Sequence, residues 1–213
     1  MQLYDYFKVF VLLLKVTDTP GVCDTHRPKE DVHREIAKAV GTVTPGPHAV
    51  LMVVKADDRF TNEEAEAYEE LKRLFGEEIT KFMIVVFTGI DRLKGMPLAD
   101  AVKKAPQKVQ QVIADAQGRY IGFNNNDALP WSERQKQSDS LLQLVDQMMT
   151  QNGGQYYSND LVMKVEKIIQ SEIASGKTRE ATKEIIVHEK DRNLNRGLLR
   201  QVSEFLGNVC SVM

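Results

Sequence analysis

A chain of 213 residues with 42% hydrophobic and 27% charged residues can bury one sizeable core and carry a smaller appendage. Its formal net charge of -2 offers no general attraction to nucleic acid or to an anionic membrane, so nucleic-acid binding is not expected. The two cysteines, Cys23 and Cys210, lie far apart and form neither a disulfide framework nor a metal-ligand spacing. These features indicate a reducing compartment, and we expect a cytoplasmic protein.

An apolar run from Val9 to Leu14 lies near the amino terminus, bracketed by Lys8 and Lys15. The run is far shorter than the roughly 20 residues that a membrane-spanning helix needs, and no small-residue cleavage site follows it. Its β-branched and aromatic residues, and the turn signal after it, are typical of a strand. We therefore expect a buried strand rather than a signal peptide.

The next segments alternate between helical and strand patterns. Apolar residues at helical spacing from Val32 to Val40 predict a short amphipathic helix that stops at Gly41. The almost continuous apolar run 49–56 predicts a strand that is covered on both faces, because polar and apolar residues do not alternate in it. A capping-box pattern then predicts a helix over 61–75.

The alternation continues through the middle of the chain. KFMIVVFT (81–88) predicts a second buried strand, residues 98–117 predict a helix broken at Pro106, and RYIGF (119–123) predicts a short strand. A helix over 132–150 follows a polar turn. Strands that alternate with helices predict parallel βαβ units, in which ligands bind at the carboxyl ends of the strands.

The pattern changes after residue 158. An apolar stripe over 161–169 and charged, helix-prone residues beyond it predict further helices, interrupted near Ser175 and Gly176. We expect an α/β domain over 1–155 and a helical extension over 156–213.

The first chemical motif is Asp18-Thr19-Pro20-Gly21, directly after the amino-terminal apolar run. It matches D-x-x-G, in which the carboxylate holds magnesium through water and the glycine lets a backbone N–H approach a γ-phosphate. The same four residues also form ordinary turns. The motif alone therefore leaves both interpretations open.

The second motif is Thr88-Gly89-Ile90-Asp91, at the end of the strand predicted over 81–88. It fits [NT]-K-x-D except that glycine replaces the lysine, whose aliphatic stem normally lies over the base. A carboxylate at this place can accept hydrogen bonds from N1 and N2 of guanine, which adenine does not offer. The predicted ligand is a guanine nucleotide.

A third motif follows the next predicted strand. Asn124 and Asn125 would supply side-chain amides and backbone N–H groups where the O6 atom of guanine would lie. Asp91 and these asparagines also suit plain turns. Because the motifs occur at successive strand ends and in the order of a nucleotide switch protein, nucleotide binding is the favoured interpretation.

Five segments together resemble one family. TPGPHAVLMVV, RFTNEEAEAY, LFGEEITKFMIVVFTGIDRL, GRYIGFNNN and NGGQYYSNDLV look like the AIG1-type GTPases, also called GTPases of immunity-associated proteins, over about residues 12 to 165. The resemblance implies a Ras-like α/β domain of the P-loop NTPase class, with a mostly parallel sheet flanked by helices. It also implies GTP or GDP with Mg²⁺ as ligand, self-association with family members, and often a carboxy-terminal membrane attachment.

The resemblance also assigns roles to individual residues. It makes the first motif the switch, the second motif the guanine-reading pair, and the two asparagines part of the last nucleotide motif; the residues are Asp18, Gly21, Thr88, Asp91, Asn124 and Asn125. Asp18 would hold Mg²⁺ through water if nucleotide binds. His48 and Arg59 lie in a characteristic family box that resembles a dimerisation surface. Arg59 would be a catalytic arginine supplied to the phosphates of a partner.

The chain departs from the family at its amino terminus. It contains no G-x-x-x-x-G-K-[ST] loop and no threonine-bearing first switch before Gly21, so most phosphate affinity and the magnesium ligands would be absent. The strand that precedes that loop would also be missing from the centre of the sheet, which leaves backbone groups unpaired. Either residues 1–6 and their neighbours fill this gap or the chain is an incomplete form; we expect the incomplete form.

The last four residues, from Cys210 to Met213, match C-a-a-X and predict farnesylation of Cys210 and peripheral membrane contact. The leading hypothesis is a guanine-nucleotide-binding protein, with GTP hydrolysis if the amino terminus is intact. A nucleotide-free interaction module that pairs with relatives through residues 43–60 and the helical extension is the alternative. A third option is that the chain does not fold alone.

Overall fold

A computed structural model describes residues 15–17, 29–56, 62–188 and 192–210 of the chain. Within these ranges the strands are β1 (Val50–Lys55), β2 (Met83–Thr88) and β3 (Tyr120–Phe123). The α-helices are α1 (Lys29–Val43), α2 (Asn62–Phe75), α3 (Leu98–Lys104), α4 (Gln107–Asp115), α5 (Trp131–Gln151), α6 (Asp160–Ala174), α7 (Arg179–Val187) and α8 (Arg192–Cys210). Short 3-10 turns span Glu77–Phe82 and Ile90–Leu93.

The three described strands form one parallel sheet in the order β1-β2-β3. Lys55 pairs with Thr88, and Thr88 pairs with Phe123, so the last residues of the three strands form one row. The predicted alternation of parallel strands and helices is confirmed for the three described strands. Because parallel strands end at the same edge, the loops that follow β2 and β3 emerge side by side.

The predicted helix bounds agree with the structure to within a few residues. The helix α2 ends at Phe75, and Pro106 separates α3 from α4 because its ring cannot continue a helix. A turn at residues 152–154 follows α5, as expected. The strand predicted over 9–14 and the cap at Thr61 lie outside the described residues.

Helices cover the two faces of the sheet unequally. Residues of α2 and α4 pack on one face, and Met148 of α5 packs with Ile84 and Val86 on the other. The prediction that the β1 segment is covered on both faces is wrong, since Leu51 is 39% exposed and Val53 is 59% exposed. The physical reason is that α5 packs on β2 and β3, and no described element covers the same face of β1.

The helices α1, α6, α7 and α8 pack together and form what we call the helical layer. They enclose an apolar core to which α2 also contributes; its buried members are Ala37, Val40, Leu74, Leu161, Val162, Val165, Ile169, Ile186, Leu194, Leu198 and Val202. The predicted break near Gly176 is confirmed between α6 and α7. The division into a domain over 1–155 and an extension over 156–213 stays a prediction, although α1 shares its core with the last three helices.

Gly41 has a different role from the predicted one. The prediction that the first helix stops at Gly41 is wrong, because α1 continues to Val43. Gly41 is buried, and a Cβ atom added to it would lie 2.9 Å from Cγ2 of Ile186 on α7. The missing side chain therefore lets α7 approach α1 closely, so glycine is required here for packing and not for helix termination.

Candidate functional site

The candidate site lies where β2 and β3 end. The 3-10 turn 90–93 follows β2, and the polar loop 124–130 follows β3. Thr88 fixes the end of β2 to β1, since its hydroxyl donates to the carbonyl oxygen of Val54 (3.2 Å) and its own carbonyl accepts the N–H of Ala56 (2.9 Å). The sheet thus provides a fixed base for the two loops.

Two hydrogen bonds join these loops directly. The side-chain oxygen of Asn125 accepts the backbone N–H of Gly89 at 2.8 Å. The backbone N–H of Asn125 in turn donates to Oδ1 of Asp91 at 3.2 Å. Asp91 and Asn125 are exposed, so a ligand can reach both of them. The structure therefore brings the predicted residues Thr88, Asp91 and Asn125 to one edge of the sheet.

Asn124 shapes the second loop. Its backbone N–H donates to the side-chain oxygen of Gln137 at 2.5 Å, and its carbonyl accepts the amide of Gln137 at 3.5 Å. Its own side-chain oxygen accepts the N–H of Asn126 at 2.9 Å, which closes an Asx turn. This arrangement holds the loop in one conformation, whereas direct contact between Asn124 and a base stays a prediction.

Two residues of α5 that the sequence did not single out also hold this loop. Gln137 anchors Asn124, and the guanidinium of Arg134 donates to the carbonyl oxygens of Asp127 (2.7 Å) and Leu129 (3.1 Å). Both residues belong to a polar helical segment whose side chains are mostly exposed. Periodicity provides no signal for them, because only the packing of α5 beside β3 directs them to the loop.

Gly122 of β3 brings the turn that carries Asp91 close to the sheet. A Cβ atom at Gly122 would lie 2.8 Å from Cγ2 of Ile90 and 2.8 Å from Cδ2 of Leu98. A side chain at this position would push the 3-10 turn away from β3. The glycine therefore helps to set the distance between Asp91 and the loop that contains Asn125.

A buried arginine fixes the opposite edge of the sheet. The side chain of Arg119 donates to the carbonyl oxygens of Met83 (3.0 Å), Thr80 (3.0 Å) and Lys81 (2.8 Å). Burial lowers the pKa of Arg119 from its usual value, and the three carbonyls together with Oε1 of Gln117 accept hydrogen bonds from the guanidinium. The starts of β2 and β3 are thereby linked at the edge away from the candidate site.

The other predicted site residues are only partly described. Asp18, Gly21 and Arg59 lie outside the described residues, so the switch, magnesium and arginine-finger predictions stay predictions. His48 is exposed and its ring packs edge-to-face on Tyr156, with 6.1 Å between the ring centroids. The backbone of Cys210 ends α8, and its side chain lies outside the described part.

The described part of the chain contains neither a metal-binding cluster nor a membrane-spanning helix. Residues 15–17, 29–56, 62–188 and 192–210 contain no cluster of three or more histidine, cysteine or acidic side chains that could hold a metal ion. None of the helices in these ranges combines the length and the apolar character needed to cross a bilayer.

Comparison with known proteins matches the chain to one family. The family model described as the AIG1 family matches residues 12–176. Immune-associated nucleotide-binding protein 13 of Arabidopsis thaliana is 34% identical over 151 residues, which are 70% of this chain and 45% of that protein. Immune-associated nucleotide-binding protein 12 of the same organism is 31% identical over 202 residues, 90% of this chain and 51% of that protein.

A human protein is similar over nearly the same length. GTPase IMAP family member 8 of Homo sapiens is 33% identical over 144 residues, which are 68% of this chain and 21% of that protein. The chain thus spans about half or less of the length of these three relatives.

Proposed function

We propose that this chain binds guanine nucleotides at the carboxyl edge of β2 and β3. The chain belongs to the AIG1 family, whose fold is that of the P-loop GTPases. The observation that carries the proposal is the pair of hydrogen bonds through which Asn125 joins Gly89 and Asp91. It supports a base-reading role because an exposed carboxylate is held in place by a loop from the neighbouring strand.

The chemistry of these groups suits guanine better than adenine. Guanine presents the N1–H and N2–H donors on one edge, whereas N1 of adenine is an acceptor that a carboxylate repels. Asp91 accepts one backbone N–H, and a carboxylate can accept about four hydrogen bonds, so capacity for both guanine donors remains. An adenine in this place would leave the desolvated carboxylate with only its bond to Asn125, which costs about 1–3 kcal/mol or more.

The proposal for the described residues concerns the base alone. The phosphates and Mg²⁺ would be held by residues such as Asp18 and Gly21, which lie outside the described part of the chain. Magnesium, when bound, supplies positive charge to the phosphates. Hydrolysis of GTP and a catalytic Arg59 are therefore further proposals, and the second is tested by comparing GTP turnover and dimerisation of Arg59→Ala with those of the unaltered chain.

Membrane contact is also a proposal. It rests on the C-a-a-X match at Cys210, and a single prenyl chain anchors a protein only weakly and reversibly. Labelling with tritiated prenol should disappear in Cys210→Ser, and unlabelled wild-type protein from prenylating cells would contradict the proposal.

One observation favours the alternative function, an interaction module that pairs with family members. Leu51 and Val53 are exposed side by side on one face of β1, inside the segment 43–60 through which such a module would pair with relatives. Apolar side chains grouped on an exposed strand are typical of contact surfaces. This alternative predicts self-association, measured by light scattering, without saturable binding of guanine nucleotides.

Exchange of the base-reading carboxylate tests the leading proposal. Asp91→Asn keeps an oxygen that can accept the N–H of Asn125 but replaces the other oxygen with an amide donor. We expect the affinity of the variant for GDP to fall by about tenfold or more. Its affinity for xanthosine diphosphate should rise, because the C2 carbonyl oxygen of xanthine accepts a hydrogen bond from the new amide N–H. The emission of Trp131, the one tryptophan of the chain, reports binding because it begins α5 directly after the loop.

Asp100→Asn on α3 is the matched control, since this exposed carboxylate is paired with Lys103 on the same helix. It should bind GDP as the wild type does. Equal affinity of the wild type for GDP and ADP, or unchanged base preference in Asp91→Asn, would contradict the proposed base-reading role.

A further inference from the structure

Gly89 has a backbone conformation that other residues seldom adopt. Its φ of 70° and ψ of 33° lie in the left-handed region, and it begins the 3-10 turn 90–93. The N–H of Arg92 donates to the carbonyl oxygen of Gly89 at 3.0 Å. Because side chains three residues apart eclipse each other in a 3-10 turn, Arg92 is directed back over Gly89.

The guanidinium of Arg92 occupies the place where a side chain at position 89 would begin. A Cβ atom added to Gly89 would lie 2.2 Å from Nη2 of Arg92, 2.7 Å from its Nε and 2.8 Å from its Cζ. All three atoms belong to the planar group. A lysine at position 89, as in [NT]-K-x-D, would therefore strain the backbone and would require the guanidinium of Arg92 to move away.

We propose that Arg92 lies on the face of the bound base and replaces the side chain that Gly89 lacks. The inference rests on the proposed guanine binding and adds to it the residue that covers the ring. A base held in its own plane by Asp91 turns its faces toward the groups on either side of that carboxylate. Gly89 lies beside Asp91, since Asn125 bonds both residues, and the guanidinium over Gly89 is therefore close to this carboxylate.

Arginine suits this role because its guanidinium is planar and stacks on aromatic rings. Asp91 and Arg92 then act on different parts of the same ligand: the carboxylate reads the edge of the base and the guanidinium packs on its face. This division predicts that Arg92 contributes to affinity and that Asp91 determines which base is preferred.

Comparison of guanosine with GDP tests the proposal, because guanosine has the base but no phosphate. Dissociation constants are measured by NMR shift titration of the full chain. Arg92→Ala should weaken both ligands by the same factor, about two- to tenfold. Arg92→Lys should recover only part of the loss, because an ammonium group has the charge but not the plane.

Arg200→Ala is the matched control, since Arg200 is exposed on α8 and pairs there with Glu204. It should leave both constants unchanged. Arg92→Gln is measured alongside Arg92→Ala, because it keeps a planar but shorter and uncharged group if Arg92→Ala folds poorly, and it should weaken both ligands by the same factor.

Three results would overturn the inference. Wild-type binding that is unchanged in Arg92→Ala would refute the stacking role while guanine binding stands. A loss for GDP alone would assign Arg92 to a phosphate instead of the base. If wild-type protein binds neither guanosine nor GDP, the proposed function fails and the role of Arg92 fails with it.

Discussion

The candidate site and the helical layer are held together by different forces. At the site, exposed polar residues such as Asp91 and Asn125 connect two loops through hydrogen bonds. In the helical layer, four helices bury a continuous apolar core that includes Leu161, Ile169 and Leu198. Burial supplies most folding free energy, whereas a single hydrogen bond contributes about 0.5–1.5 kcal/mol net.

This difference separates stability from recognition. Loss of one loop hydrogen bond should alter ligand binding while the fold persists, because the sheet beneath the site is fixed by other contacts. Loss of one core side chain should destabilise the helical layer, whatever happens at the site. Measurements on each region therefore test whether stability and recognition are separate in this molecule.

The largest effect is expected in the helical layer. Leu161→Ala removes a fully buried side chain of α6 and should lower the free energy of unfolding by about 2–5 kcal/mol, because a cavity remains. Urea unfolding followed by far-UV circular dichroism measures the change. Met163→Ala is the control on the same helix, since Met163 is 49% exposed and its loss should cost less than about 1 kcal/mol. Similar losses in both variants would contradict a packed layer.

At the candidate site we expect a smaller change in the free energy of unfolding and a clear loss of ligand affinity. Gln137→Ala removes both contacts to Asn124, so the loop should become less ordered and guanosine affinity should fall about threefold to tenfold. The free energy of unfolding should change by less than about 1 kcal/mol, because Gln137 is only half-buried. NMR titration and urea unfolding of the same variant measure the two quantities.

Gln143→Ala provides the control for this prediction, since Gln143 is an exposed residue of the same helix. It should change neither quantity. A destabilisation in Gln137→Ala as large as that of Leu161→Ala would show that the loop and the core are not energetically separate.

The smallest effect concerns one ion pair in the helical layer. Arg179 of α7 donates to both carboxylate oxygens of Glu166 on α6, at 2.8 Å and 2.5 Å, and holds the pKa of Glu166 below its usual value. A depressed folded-state pKa means that the pair stabilises the protein above the pKa that Glu166 has when unfolded. This contribution, about 1 kcal/mol, is lost as the pH falls through the folded-state pKa.

Unfolding of Glu166→Gln across the acid range measures this contribution. The variant should be less stable than the wild type near neutral pH, and the difference should shrink as the pH falls below the ordinary glutamate pKa of about 4.3 and then through the lower folded-state pKa. Glu184→Gln replaces an exposed carboxylate of α7 and should follow the wild type. A constant difference at every pH would mean that the ion pair does not cause the loss.

Sequence reasoning succeeded where a pattern is local. The buried strand before Thr88 and the helix break at Pro106 were predicted because apolar runs and proline act on their own segments. It failed at Gly41, because a glycine near a helix end is usually a stop signal, and only the approach of Ile186 shows its packing role. It also failed on the exposure of Val53, because coverage depends on where a distant helix lies.

Local sequence patterns predicted the order of the described strands and helices, the polar motifs at the strand ends and the resemblance to the AIG1 family. These follow from periodicity and short motifs, which need no knowledge of distant contacts. Only the tertiary structure joined Asp91 to Asn125, which lie 34 residues apart, and directed Arg92 over Gly89. The physical reason is that such contacts depend on the register of the whole sheet and on the conformation of its loops, which no single segment encodes.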